Sequence, residues 1–291
     1  MSSSSSQLIQ TGLKLHQAGR LQEAESCYQA VLREQPKNSD AWHLLGVIAQ
    51  QIGKDEVAVE LIEKAIDIRP DVADYYVTCG EAYRAMREYD SATHCYEKAL
   101  SINPGFAGAH LNLGNTLKET GRVLEAIGHY EKAVALQPDF AIALNNLGIA
   151  LKEIGRTEDA ITRFERALAI APGYFEAYNN LGNALLAVDR FDAAISRFEQ
   201  AIAIQPKYAE AHSNLGNAFR QSGRLEDAIR QYKEAVSCKP DFAMGHYNLG
   251  IALEETGRAE EAIASYLQAL SIDSGFAEAH HNLGFAFQDL G

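Results

Sequence analysis

Long apolar runs are missing from this 291-residue chain. No stretch of 18 consecutive apolar residues occurs, so no membrane-spanning helix is expected. Positive charge is in deficit: 26 Lys and Arg stand against 39 Asp and Glu, a formal net charge of −13. Phosphate backbones would be repelled, which argues against a nucleic-acid partner. Cysteine is scarce. Cys27, Cys79, Cys95 and Cys238 show no CxxC or other ligand spacing, and four in a chain this long make no disulfide framework. They read as reduced thiols in or near a core, and a cytoplasmic location is the expectation. The opening MSSSSSQ has neither a basic nor an apolar region, so no signal peptide is expected. Neither GxxxxGK[ST] nor GxGxxG occurs, and no nucleophile elbow is visible. No cofactor, metal site or catalytic residue is therefore expected.

Proline is rarer still, and its placement is informative. All seven prolines, Pro36, Pro70, Pro104, Pro138, Pro172, Pro206 and Pro240, stand 34 residues apart, with Ser274 next in phase. Glycine repeats the period at Gly12, Gly46, Gly80, Gly114, Gly148, Gly182, Gly216, Gly250 and Gly284. Alanine does so from Ala24 to Ala262. Repeats start at 5, 39, 73, 107, 141, 175, 209 and 243, with a partial ninth at 277, and none needs an insertion.

Each repeat reads as two helices. In 107–140, Leu113, Leu117, Ala126, Tyr130 and Ala133 recur at helical steps. Gly121 breaks the two segments and Pro138 blocks continuation of the second. Phe106, Phe140, Tyr174, Tyr208, Phe242 and Phe276 each precede a first helix and suit an apolar staple. The small Gly and Ala series lets two helix backbones approach closely where they cross. Strand signals are absent, so the expected class is all-α.

A 34-residue helix–turn–helix unit with Trp42, Leu45 and Gly46 in one repeat, and Ala126, Tyr130 and Pro138 in another, resembles the tetratricopeptide repeat. The resemblance covers residues 5–291. It implies a right-handed superhelix, an α-solenoid of about eight and a half repeats, turning roughly once over eight of them. First helices would line the concave side. The organisation expected is a disordered tail at 1–4, repeats 1–3 over 5–106, and repeats 4–8 plus one further first helix over 107–291.

The second block is set apart by asparagine. The sixth position of each repeat is Gln10, Leu44 and Thr78, then Asn112, Asn146, Asn180, Asn214, Asn248 and Asn282. Asn is disfavoured inside helices by up to about 0.7 kcal/mol. A carboxamide both donates and accepts, so a column of them can pair with a peptide main chain whatever its side chains. Adjacent helices ~8–10 Å apart would match about three extended residues per repeat, on the order of 15 in all. Asn115, Asn183 and Asn217 would add a partial second column, and Lys118, Lys152 and Arg220 would meet acidic ligand side chains. The alternative stays open: neighbouring asparagines bond each other or water across the repeat interface, with no ligand.

A continuous asparagine column in a gapless array is similar to the repeat arm of O-GlcNAc transferases. Residues 15–53 resemble the opening of bacterial SPINDLY-like proteins. That resemblance implies a substrate-recognising arm for polypeptides, with no catalytic residue in this chain and a glycosyltransferase domain elsewhere in the protein. A free-standing assembly scaffold is the alternative. Two further readings fail on spacing. His110, His212, His246 and His280 recur at one position per repeat, ~10 Å apart, too far to share a metal. The carboxylate clamp of chaperone-binding repeats wants Lys at the fifth position, where Leu111, Asn145, Asn179, Ser213, Tyr247 and His281 stand. The last helix, with Leu283, Phe287 and Leu290, lacks its second helix. A fragment of a longer protein is expected, or self-association through that uncapped end.

Overall fold

The computed structural model describes the backbone of residues 3–290 and the side chains of 5–288. Seventeen α-helices and no strand occur among them. In chain order they are α1 (Ser3–Gln17), α2 (Leu21–Glu34), α3 (Ser39–Gln51), α4 (Asp55–Ile68), α5 (Ala73–Ala85), α6 (Tyr89–Ile102), α7 (Ala107–Glu119) and α8 (Val123–Leu136). There follow α9 (Ala141–Glu153), α10 (Thr157–Ile170), α11 (Phe175–Leu186), α12 (Phe191–Ile204), α13 (Ala209–Gln221), α14 (Leu225–Cys238), α15 (Ala243–Glu255), α16 (Ala259–Ile272) and α17 (Ala277–Leu290). Odd-numbered helices are the first of each repeat and even-numbered the second. Helix α1 begins inside the tail expected over 1–4; residues 1 and 2 lie outside the described residues. So does the side chain of Leu290.

Two compact units divide the chain, residues 1–138 and 139–291. Within each, a first helix packs on the second helix of its repeat, and that second helix on the next first helix. First helices also touch one another: α3 with α5 and α5 with α7 in one unit, and α9 through α17 in odd-numbered succession in the other. Among the described residues, no two second helices are seen to pack to that extent. In each unit the first helices therefore line the inner side of the stack.

The glycine series has a steric cause. Tyr28, Tyr96, Tyr130, Phe164, Phe198, Tyr232 and Tyr266 are essentially fully buried, each with its ring seated on the glycine sixteen residues earlier. Ile62 fills the same seat against Gly46. A β-carbon at Gly114 would stand 2.6 Å from Tyr130 Cε1. Burying one such ring stabilises by about 1.5–3 kcal/mol, which is why the seat is kept clear. The alanine series from Ala24 to Ala262 is fully buried where the two helices cross.

Turns follow from the same period. Gly121 takes φ +78, and the Arg122 amide donates to Leu117 O at 2.8 Å, closing the first helix in a Schellman arrangement. Five glycines in phase with it also have positive φ. Arg87 (φ 61) and Asp189 (φ 56) hold that conformation with a side chain attached. Phe106 acts as the expected staple, packing on the cluster of Ala73, Ala99 and Ala109.

Candidate functional site

The asparagine column lies on the inner helices, every member half-buried. Most of its amides are tied to the preceding repeat. Asn180 Nδ2 donates to Asn145 Oδ1 at 3.0 Å, and Asn214 Nδ2 to Asn179 Oδ1 at 2.9 Å. Asn248 Nδ2 donates to Ser213 Oγ at 3.3 Å, and Asn282 Nδ2 to the Tyr247 hydroxyl at 3.4 Å. Asn146 Oδ1 accepts from its neighbour Asn145 Nδ2 at 3.3 Å. Asn112, in the other unit, instead gives its Nδ2 to Glu81 Oε1 at 2.9 Å.

The bonding between repeats that the sequence left open is thus present, and it orients the column. A carboxamide has two N–H donors and an oxygen with two acceptor sites. At Asn180, Asn214 and Asn248 the rung uses one donor, and the Oδ1 and second N–H lie outside it. Those two groups are the set that pairs with a peptide C=O and N–H. The fixed amide has little rotamer freedom left to lose on binding. Sequence reasoning missed the acceptors of this ladder. Asn145 and Asn179, with 4% and 6% exposure, each give their Oδ1 to a rung that spares a buried carbonyl from standing unpaired. The available signal was the polar run Asn145, Asn179 and Ser213 at the fifth position, where Leu111 stands one repeat earlier.

The second column divides by its surroundings. The Tyr130 hydroxyl donates to Asn115 Oδ1 at 2.9 Å, and the Tyr232 hydroxyl to Asn217 Oδ1 at 2.7 Å. Both carbonyl oxygens therefore satisfy buried tyrosines. Beside Asn183 the equivalent ring is Phe198, which has no hydroxyl to give. The cations divide too. Arg220, expected to meet a ligand acid, is held by Glu255 at 2.7 Å.

The histidines have a structural explanation. Nε2 of His110, His212, His246 and His280 lies 3.0–3.2 Å from the carbonyl six residues earlier, at Pro104, Pro206, Pro240 and Ser274. A carbonyl only accepts, so that nitrogen carries the proton. Trp42 does the same work at the same position, its Nε1 donating to Pro36 O at 2.9 Å. His110 Nδ1 also meets His129 Nδ1 at 3.0 Å. Burial, then the His110 charge, pushes His129 down to about 4. Among the described residues, no three His, Cys, Asp or Glu side chains gather as a metal site. No described helix is long and apolar enough to cross a membrane.

Profiles described as "TPR repeat" match residues 80–121, 189–221, 216–257 and 255–291. Profiles described as "Tetratricopeptide repeat" match 11–73, 105–173 and 153–195. The chain belongs to the tetratricopeptide-repeat family. Among solved tetratricopeptide-like structures, it resembles the APC/C hetero-tetramer Cut9–Hcn1 at TM-score 0.69 and 19% identity. That match covers 91% of this chain but 52% of the other, so the chain spans about half its length. MamA matches at TM-score 0.53 and 29% identity, over 59% of this chain and 94% of that one. YrrB, described as a TPR protein with an unusual peptide-binding site, matches at TM-score 0.52 and 23% identity, over 65% and 98%. No curated protein matches.

Proposed function

We propose that this tetratricopeptide array holds an extended polypeptide by its main chain, along the inner helices of residues 139–291. The observation that carries this reading is the tethering of Asn180, Asn214 and Asn248 to the preceding repeat, which leaves an oriented acceptor and donor on each. A backbone-directed grip tolerates many ligand sequences. The chain contributes recognition and no chemistry of its own.

The test is fluorescence anisotropy with an uncharged, fluorescein-labelled 15-residue peptide of Ser, Thr, Ala and Val. Asn180→Ala with Asn214→Ala should weaken its binding severalfold while helical content persists. Unchanged affinity overturns the reading.

The narrower proposal is that the array is the substrate-selecting arm of an O-GlcNAc-type protein glycosyltransferase, at work in the cytoplasm. It rests on the asparagine column and the likeness of residues 15–53. Sequencing the gene beyond codon 291 tests it, since a glycosyltransferase domain must follow. A second reading, a free-standing assembly scaffold, draws on the same rungs: a column that joins repeats is useful without a ligand. In that case the double variant lowers the melting temperature and leaves peptide affinity unchanged.

A further inference from the structure

A second set of ties runs beside the asparagines, and one lysine in it has no acid opposite. The twelfth residue of one repeat reaches the thirteenth of the next, 35 positions on. Arg84 Nη1 meets Glu119 at 2.9 Å, and Arg220 Nη1 meets Glu255 at 2.7 Å. Lys152 occupies the same twelfth position on α9, and the residue 35 further on is Ala187. Where Arg84 and Arg220 meet a carboxylate, Lys152 faces a methyl group. Lys152 has no ion-pair partner among the described residues, and nearby Arg156 is already held by Asp159 at 2.7 Å. Lys152 is half-buried.

The unpaired ammonium also sits in useful register with the column. Lys152 follows Asn146 by six residues on α9, about 9 Å along the helix axis. Ladder members Asn145 and Asn180 lie on this and the next inner helix. A ligand main chain crossing the helices at the asparagines would lie within reach of a lysine stem plus an acidic side chain. Since the protein carries a net charge of −13, an anionic ligand group needs a local cation to be accepted at all.

Resting on the main-chain grip proposed above, we infer that Lys152 selects extended peptides bearing an anionic side chain, whose carboxylate or phosphate takes the place of the absent glutamate. The ligand group would complete a charge-assisted bond of the kind made at Arg84 and Arg220.

Anisotropy with four labelled 15-residue peptides tests this: neutral throughout, or with a central Glu, phosphoserine or Lys. Each is titrated against the native chain, Lys152→Gln and Ala187→Glu. The last restores the missing acid and should occupy Lys152 internally. The native chain is expected to bind the Glu or phosphoserine peptide 3–10-fold tighter than the neutral one, with that preference shrinking at high salt. Both variants should erase the preference and leave neutral-peptide affinity unchanged. A larger gain for phosphoserine than for Glu identifies phosphate as the source; equal gains identify a carboxylate as sufficient. Equal binding of neutral and acidic peptides, or a preference that survives Lys152→Gln, overturns the inference. Loss of binding by all four peptides overturns both this inference and the main-chain grip. Acidic-peptide binding that vanishes in Lys152→Gln but ignores Asn180→Ala with Asn214→Ala would keep the lysine's role and remove the asparagines'.

Discussion

The ring of Tyr232 lies against Gly216 so closely that a β-carbon on the glycine would stand 2.6 Å from Tyr232 Cε1. Alanine there must displace a fully buried ring that has nowhere to go. Gly216→Ala should therefore destabilise by about 1–3 kcal/mol, the usual range for overpacking. Gly284 occupies the same phase with nothing within 4 Å of the added carbon. Gly284→Ala should be neutral or stabilise by up to about 1 kcal/mol through helix propensity. Urea melts of the two variants give the contrast.

Three tyrosines in one phase should answer differently to loss of their hydroxyl. Tyr130 and Tyr232 donate to Asn115 and Asn217, so Tyr130→Phe and Tyr232→Phe should each cost about 1 kcal/mol. The Tyr28 hydroxyl is buried without a partner, because Leu13 stands where those asparagines would be. Tyr28→Phe should be neutral or mildly stabilising. Phe164 and Phe198 already hold this seat in their own repeats.

Arg87 and Asp189 carry the left-handed turn that glycine carries elsewhere. An L side chain in that region costs roughly 1–2 kcal/mol, less for Asp, and glycine returns part of the gain through its freer unfolded state. Arg87→Gly should stabilise by about 0.5–1 kcal/mol and Asp189→Gly by less. Differential scanning calorimetry reads the order. Asp189→Gly gaining more than Arg87→Gly would contradict it.

Acid should act on the His110–His129 pair. His110 donates from Nε2 to Pro104 O, which leaves its Nδ1 to accept from His129. Charging His110 protonates the Nδ1 that accepts from His129 and sets two N–H groups face to face, while charging His129 places a positive charge among cations. Lys132 and Arg122 nearby oppose a further positive charge, and Glu125 only partly offsets them. The folded His129 binds its proton less readily than the unfolded one, near 6.5. The unfolded chain therefore holds more protons between about pH 6.5 and 4, and stability falls as pH drops through that window. His129→Gln copies Gln231, which pairs with His212 Nδ1 at 2.9 Å. It should flatten the pH dependence of the melting temperature relative to the native chain. Identical profiles would show that the pair does not titrate on unfolding.

The helical hairpins were legible because their signals are local and recur: Gly121 at the turn, Pro138 past the second helix, and an alanine at each crossing. What the column bonds to was not, because Asn180 and Asn145 are neighbours only after two repeats have stacked. The capture of Arg220 by Glu255 is hidden for the same reason. Trp42 and the four histidines of its phase look unrelated as letters. They share a ring N–H at a fixed reach, a likeness of geometry that no residue class records. Cys79 shows the opposite case. It replaces the leucine found at Leu45, Leu113, Leu147, Leu181, Leu215 and Leu249, and it borders a cleft of about 620 Å³ with Cys95, Tyr76 and Tyr83.

Many of the ties between adjoining repeats share one offset. Asn180 with Asn145, Arg84 with Glu119, Thr78 with His43 and Asp40 with Tyr75 all stand 35 apart, one more than the period. Each unit consequently carries a plug for the unit before it and a socket for the one after. Gene duplication copies both halves together, and excision of a whole unit rejoins them in register. Such a chain can be lengthened or shortened in fixed quanta without redesigning a joint, and the stretch of ligand it spans changes in the same steps.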